Sequence, residues 1–243
     1  MVTASVIFRL KNEARHIDAV LQALRAQTFT DYEIVVVDSG STDGTLDIVS
    51  AHPITLVQIR PEEFTYGYGL NIGARHARGR YLVNLSGHSI PADDNWLARL
   101  IDACARPWVA ASYSRLKAAP GGPLRYRFIY PVLYPRYRSL QNASSTFHNA
   151  SSCVKYDLWM QCPFDERLPA CEDLDWAKRV RRWGYDIVYE PKSVVYHAHD
   201  ESIPRYVERT FGREIPALLK VWLRGERRSA ARAKEQVSVP QDR

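Results

Sequence analysis

Residues 33–45 read Glu33-Ile-Val-Val-Val-Asp38-Ser-Gly-Ser41-Thr-Asp43-Gly-Thr45. A run of β-branched residues closed by an acid, two small residues and an Asp-Gly pair is how a buried parallel strand running into a turn reads. Asp38 then stands at the strand's C-terminal end. Open α/β sheets bind ligands at those ends, beside a change in strand order. Ser41 or Thr42 is placed to cap a helix that starts near Thr45.

Working outward, the same rhythm repeats. A strand at 5–10 precedes an amphipathic stretch at 14–26, with Ile17, Val20, Leu21 and Leu24 at helical spacing. A helix at 45–51, a strand at 54–60, a helix at 69–77, a strand at 80–85 and a helix at 95–104 follow. Repeated strand-helix-strand units predict an α/β fold with a mostly parallel, Rossmann-like sheet flanked by helices. The character changes after about Leu116. Residues 118–123 form a Gly/Pro loop, and residues 125–138 are basic, aromatic and broken by prolines. That stretch predicts a surface lid or a partner-contacting loop rather than a clean helix or strand. Core-like residues return at 147–159. A helix is expected at 174–183, with strands at 186–189 and 193–196. Beyond Ser202 the chain reads as helical, and its charged end reads as disordered.

The 243 residues suffice for a sizeable core, and the apolar and charged fractions of 46% and 25% are those of an ordinary globular protein. No apolar run approaches the roughly 20 residues that span a bilayer. With no leader-like segment at its start, the chain is expected in the cytoplasm. Four cysteines at irregular spacing, none in a Cys-x-x-Cys pair, argue for reduced structural thiols over a zinc or redox cluster. The net charge of +6 gathers at 125–138 and beyond Arg205. Such patches suit anionic lipid, nucleic acid or a pyrophosphate. The signatures of RNA-binding modules are missing, which sets nucleic acid aside. In the tail, Phe211, Ile215, Leu218, Leu219, Trp222 and Leu223 recur at helical spacing among basic residues. That helix suits packing on the domain or on a second subunit, as in a homodimer. It equally suits peripheral contact with the inner face of a membrane, although Pro216 and Gly225 limit its length.

With Ser5-Val-Ile-Phe-Arg9-Leu-Lys-Asn12-Glu13 upstream, the opening segment resembles the inverting family-2 glycosyltransferases of the GT-A fold. The resemblance runs from about Ser5 to about Ser202. It implies one GT-A domain over 1–202, with a nucleotide-binding half at 1–116, an acceptor half at 117–202 and a basic helical tail at 203–243. It also implies a nucleotide-diphosphate sugar as donor and a glycan or lipid-linked acceptor, in surface-polysaccharide or glycolipid assembly. Arg9, Asn12, Glu13 and Asp38 match family positions that contact base and ribose. The stretch Phe64-Thr-Tyr-Gly-Tyr-Gly69-Leu-Asn71-Ile-Gly73-Ala-Arg75 resembles the family's Gly/Asn segment beside the nucleotide. Its glycines admit close approach of backbone to ligand, and Arg75 is long enough to reach a phosphate.

The segment Asn84-Leu85-Ser86-Gly87-His88 departs from the family, whose members usually carry an Asp-x-Asp there that holds Mg²⁺ or Mn²⁺. Aligned on Leu85 and Pro91, His88 takes the place of the second acid, with Ser86 and Gly87 beside the donor. Imidazole suits Mn²⁺ better than Mg²⁺. His197 and His199, two apart on a strand, share a face. GT-A enzymes often supply a C-terminal histidine to the metal, so the expected divalent site is His88 with His197 or His199. Arg9, Arg75 or the histidines bear the diphosphate charge if no metal does.

The acidic run Cys171-Glu172-Asp173-Leu-Asp175-Trp176 resembles the family's Glu-Asp segment. Trp176 and the later His-x-His are most like the bacterial rhamnosyltransferase branch. Asp173 is then the acceptor-activating base, with Glu172 next in line, and one displacement inverts the anomeric carbon. By residue type alone, acids at a helix start also answer to the macrodipole. Serines crowd around His148 without a Gly-x-Ser-x-Gly elbow, so a hydrolase triad has little support, and residues 147–152 fit the acceptor side of the cleft. The alternative to an enzyme is a GT-A-like binding or scaffold protein without activity. The missing Asp-x-Asp permits it, and the retained Glu172-Asp173 argues against it.

Overall fold

The computed structural model describes residues 2–136, 146–197 and 202–224. His199 and the charged end of the tail lie outside them. The opening segment is strand β2 (Tyr32–Asp38), and it pairs in parallel with β1 (Ala4–Leu10). The chain continues through α1 (Ala14–Arg25), α2 (Thr45–Ser50), β3 (Thr55–Gln58), α3 (Tyr66–His76), β4 (Tyr81–Ser86), β5 (Ser89–Pro91), α4 (Trp96–Cys104) and β6 (Val109–Ala118). After these come α5 (Leu124–Leu133), β7 (Ser151–Lys155), α6 (Tyr156–Gln161), α7 (Glu172–Arg181), β8 (Asp186–His197) and α8 (Ile203–Val207).

One sheet of eight strands carries everything, in the order β3-β2-β1-β4-β7-β6-β8-β5. The β3/β2, β2/β1, β1/β4 and β6/β8 pairs are parallel, while β7 is antiparallel to both neighbours and β5 antiparallel to β8. Strand order reverses at β1, between β2 and β4. Arg9 therefore stands between Val37 and Ser86 at the C-terminal edge.

Successive side chains of β1 point to opposite faces, as the pleat requires. Val6, Phe8 and Leu10 pack with α1 and α4 around Trp96. Ile7 packs with Val35, Leu70 of α3 and Trp176 of α7 on the other side. Both faces being covered explains why the inner strands read as unbroken apolar runs. Trp96 and Trp176 are fully buried. Truncating either to alanine would cost about 3–5 kcal/mol.

Strands β5, β6 and β7 and helix α6 have no counterpart among the expected elements, and three further elements differ from expectation. Residues 124–133 form a helix despite their prolines. Tyr126 and Tyr130, one turn apart, are buried and stacked at 5.0 Å, and Pro131 falls in the last turns. A proline there forfeits one backbone bond, which the tyrosine burial offsets. The two strands expected near the end are one, β8. A register shift opposite Ser114 and Arg115 takes up residues 191–193, so Pro191 does not end the strand. Helix α3 starts at Tyr66, capped by Thr65 Oγ1 accepting from the Tyr68 amide at 3.0 Å.

Candidate functional site

The loops after β1 and β2 are woven into one structure at the sheet's C-terminal edge. Asp38 is fully buried, and its carboxylate accepts from the amides of Gly40 (2.9 Å) and Ser41 (3.0 Å) and from the Ser41 hydroxyl. Ser41 Oγ in turn accepts from the Asn12 amide at 2.9 Å, and Asn12 Oδ1 accepts from the Thr42 amide at 2.8 Å. Ser41 and Thr42 are thus occupied away from the start of α2. Asp43 supports that start instead, accepting from the Thr45 amide at 3.1 Å and from the Ala14 amide at 3.0 Å. Asn12 sits at φ 56°, a left-handed conformation that asparagine tolerates better than most residues. Asp38 and Asn12 act here as organisers of the two turns. Asp38→Ala is therefore expected to cost about 1–3 kcal/mol, because buried amides lose their acceptor. A thermal melt measures this. Calorimetry with a nucleoside diphosphate on the folded variant reads separately whether Asp38 also touches the donor.

Arg9 leaves β1 toward the cleft, stacked over the Tyr66 ring at 5.0 Å and donating to the Tyr66 carbonyl at 3.3 Å. Asn71 and Arg75, expected beside the nucleotide, point elsewhere. Asn71 is buried, donates to Phe164 O (2.9 Å) and Glu166 Oε1 (2.8 Å), and accepts from Trp159 Nε1 (2.9 Å) and the Phe164 amide (3.1 Å). Its hydrogen-bonding capacity goes to clamping α3 onto residues 159–166. Arg75 pairs with Glu166 at 3.2 Å on the surface.

At the end of β4, His88 Nδ1 lies 2.7 Å from Glu13 Oε1, and Ser86 Oγ lies 3.1 Å from His88 Nε2. Gly87 allows this approach, since a Cβ there would come within 2.8 Å of the Glu13 side chain. The His88 and His197 rings lie 4.8 Å apart, and His197 Nδ1 lies 2.8 Å from Ser89 Oγ. The fold thus brings together two of the three expected histidines. The third, His199, lies outside the described residues. Among the described residues no three His, Cys, Asp or Glu side chains converge to hold a metal. Glu13 and His88 are engaged with each other instead.

Opposite this edge, α7 starts at Glu172. Cys171 before it adopts φ 61°, an unusual conformation for a residue with a side chain. Burial, then the nearby Asp173 and Glu172 charges, push the Cys171 thiol up to about 12, so it is no nucleophile at neutral pH. Asp173 accepts from the Leu174 amide at 2.8 Å and the Asn149 amide at 3.3 Å. Burial, and next the charge of Glu172, raise its carboxyl to about 7, with the two amides and Arg9 pulling the other way. Glu172 Oε1 accepts from Asn149 Nδ2 at 3.3 Å and lies 3.7 Å from Arg9 Nη1.

Asn149, expected to line the acceptor side, is the residue whose part in holding the acids the sequence did not reveal. Its Oδ1 accepts from Asn84 Nδ2 (3.1 Å) and Ser152 Oγ (3.0 Å), which fixes the side-chain amide that holds Glu172, while its backbone amide holds Asp173. The sequence signal was only its place in the stretch expected to line the acceptor side. His148 beside it donates from Nε2 to Ser114 O at 3.1 Å, leaving the lone pair on Nδ1. That buried Nδ1 has no hydrogen-bond partner. Burial holds the imidazole neutral by pushing it down to about 4. Tyr113 and Tyr134 meet its ring edge-on at 5.3 and 5.0 Å.

The Glycosyl transferase family 2 model matches residues 5–164, and the chain belongs to that family. Among curated proteins it is similar to glycosyltransferase AglE of Haloferax volcanii, 28% identical over 235 residues, covering 89% of this chain and 71% of that protein. It is also similar to the O-antigen chain rhamnosyltransferase RfbN of Salmonella typhimurium, 22% identical over 216 residues, covering 84% of this chain and 69% of that one. Among solved structures, the mannosyltransferase PcManGT of Pyrobaculum calidifontis, in complex with GDP-Man and Mn²⁺, superposes with a TM-score of 0.70. The two are 24% identical, and the match covers 90% of this chain and 64% of that chain. The fold is thus the GT-A-like arrangement that the sequence led us to expect.

Proposed function

We propose that the chain transfers a glycosyl unit from a nucleoside-diphosphate sugar to a hydroxyl of a glycan or lipid-linked acceptor, with inversion at the anomeric carbon. The carrying observation is the Asp173 carboxyl, held by two backbone amides beside Glu172, which itself lies 3.7 Å from Arg9 at the edge where strand order reverses. A carboxyl poised near neutral pH both accepts a proton and exists charged, which is what a general base needs. Asp173 takes the acceptor proton as that oxygen attacks the anomeric carbon opposite the departing diphosphate. Arg9, at the end of β1 and 3.7 Å from Glu172, is the cation we assign to the donor's diphosphate. A role in surface-polysaccharide or glycolipid assembly is suggested by the printed name of the RfbN relative.

The test is a panel of nucleotide sugars with candidate acceptors, the product's anomeric configuration being read by NMR. Retention of configuration, or donor binding without transfer, would sink the proposal. The same assay separates the two ways of meeting the diphosphate charge. Activity that persists in excess chelator and falls in Arg9→Ala would leave the charge to side-chain cations. Loss of activity in chelator, restored by Mn²⁺ in the wild type but not in His88→Ala, would return the charge to a divalent ion.

A further inference from the structure

Apart from Leu56, Trp108, Met160 and Trp183, every large apolar side chain exposed among the described residues lies on one of two helical segments. The first is α5, where Phe128 and Val132 are 75% and 76% exposed. The second is the tail, in which α8 continues through a wider π-type turn (Glu208–Glu214) into helix at 215–224. Its inner face is docked: Ala217 and Val221 are buried, Cys171 Sγ donates to Glu214 O at 3.6 Å, and Arg224 binds Asp165 at 2.8 Å. Its outer face leaves Phe211, Leu219, Trp222 and Leu223 roughly half open or more.

The two segments meet. The Arg125 guanidinium lies over both the Tyr126 and Tyr206 rings at 4.8 Å, tying the first turn of α5 to α8. Both also border the site. Tyr134, just past α5, contacts His148, and Tyr130 packs on His197 at 6.2 Å, while the tail contacts Cys171 next to the acid pair. Exposed cations accompany the apolar groups: Arg127 and Arg136 around α5, and Arg205, Arg213 and Lys220 along the tail. No acid occurs between residues 120 and 140.

We propose that these two helices form a membrane-docking rim that lies in the interface of an anionic bilayer and turns the mouth of the cleft toward it. Apolar side chains interleaved with cations are the chemistry by which interfacial helices bind such surfaces. Two other occupants fit less well. Residues 225–243 hold only Val237 and Val239 as larger apolar groups, too little to cover the face. A second copy joined about a two-fold axis would set basic residues against the same basic residues. No helix among the described residues is long and apolar enough to cross a membrane. A lipid-linked acceptor follows from the rim only if the transfer reading holds. Docking itself does not depend on it.

The full chain is tested by co-sedimentation with vesicles of phosphatidylcholine alone and with phosphatidylglycerol added. Binding is expected only to the anionic vesicles and should weaken with salt, as exposed charges are screened within about 10 Å at 0.1 M. Phe128→Glu with Trp222→Glu, and separately Arg127→Glu with Lys220→Glu, should each lower vesicle affinity about tenfold or more. These side chains are exposed, so the melting temperature should hold, and donor hydrolysis measured in parallel should be unchanged. Equal sedimentation with neutral vesicles, or none with either, overturns the proposal. A dimer in light scattering that the same variants dissociate, without vesicle binding, assigns the surface to a second copy. Absent donor hydrolysis alongside intact vesicle binding would count against the transfer reading alone.

Discussion

Asp173→Asn is expected to lower the turnover number by about 10²–10⁴-fold, the usual worth of a positioned general base. Nucleoside-diphosphate affinity should stay as it is, since the side chain touches α7 and Asn149 rather than the turns after β1 and β2. The pH dependence adds a second reading. In the wild type the rate should rise with pH as the Asp173 carboxyl, raised to about 7, loses its proton. The same shift burdens the fold. A carboxyl raised above its free value favours the folded state while protonated, and that contribution is lost as pH climbs through about 7. Asp173→Asn should therefore melt higher than the wild type at about pH 8, the gap closing as pH falls toward the ordinary carboxylate range. Near-wild-type turnover with an unaltered pH profile would move the base to Glu172.

Asn71→Ala should be the most damaging substitution outside the core. It strands the Trp159 indole N–H and both backbone groups of Phe164 in a buried place. At about 1–3 kcal/mol for each orphaned group, the loss is about 3 kcal/mol or more. For a chain of this size, that lowers the melting temperature by roughly 6–12 °C. The prediction opposes the reading of Asn71 as a nucleotide contact. An unchanged melt combined with weakened nucleotide binding would restore that reading.

Asn71 also shows where sequence stops informing. Its neighbourhood of glycines and one arginine names a residue type suited to a ligand. The partners that use it up are Trp159, Phe164 and Glu166, about ninety residues away. Asp38 is similar: the strand that delivers it was legible from its run of β-branched residues, but not that its oxygens close their own turn. Strands β1, β2 and β4 were readable because apolar runs report burial on both faces, whereas β5, β6 and β7 were not. Helix α5 was not, because proline is a loud local signal and the Tyr126–Tyr130 stack that outweighs it is a tertiary fact. The acid pair could be named from its motif. Its holder, Asn149, could not, since the hydrogen bonds that give it a role span 23 and 24 positions.

Strand β7 has a mechanical meaning. It is laced to β4 on one side and β6 on the other, and the Ser86 amide donates to Ala150 O at 3.0 Å where β4 ends. Asn149, one residue earlier, accepts from the Asn84 side chain across the same pair of strands. The edge that would receive the donor and the residue that steadies the acids are thus rungs of one ladder, not the jaws of a hinge. The span between them is a gauge of fixed length. On the proposed transfer reading, an acceptor would be measured by which of its hydroxyls reaches across that span, and the sheet itself would be the arbiter of which bond is made. Mixed linkages in the product, more than slow turnover, would be the symptom of a β7 slipped out of register.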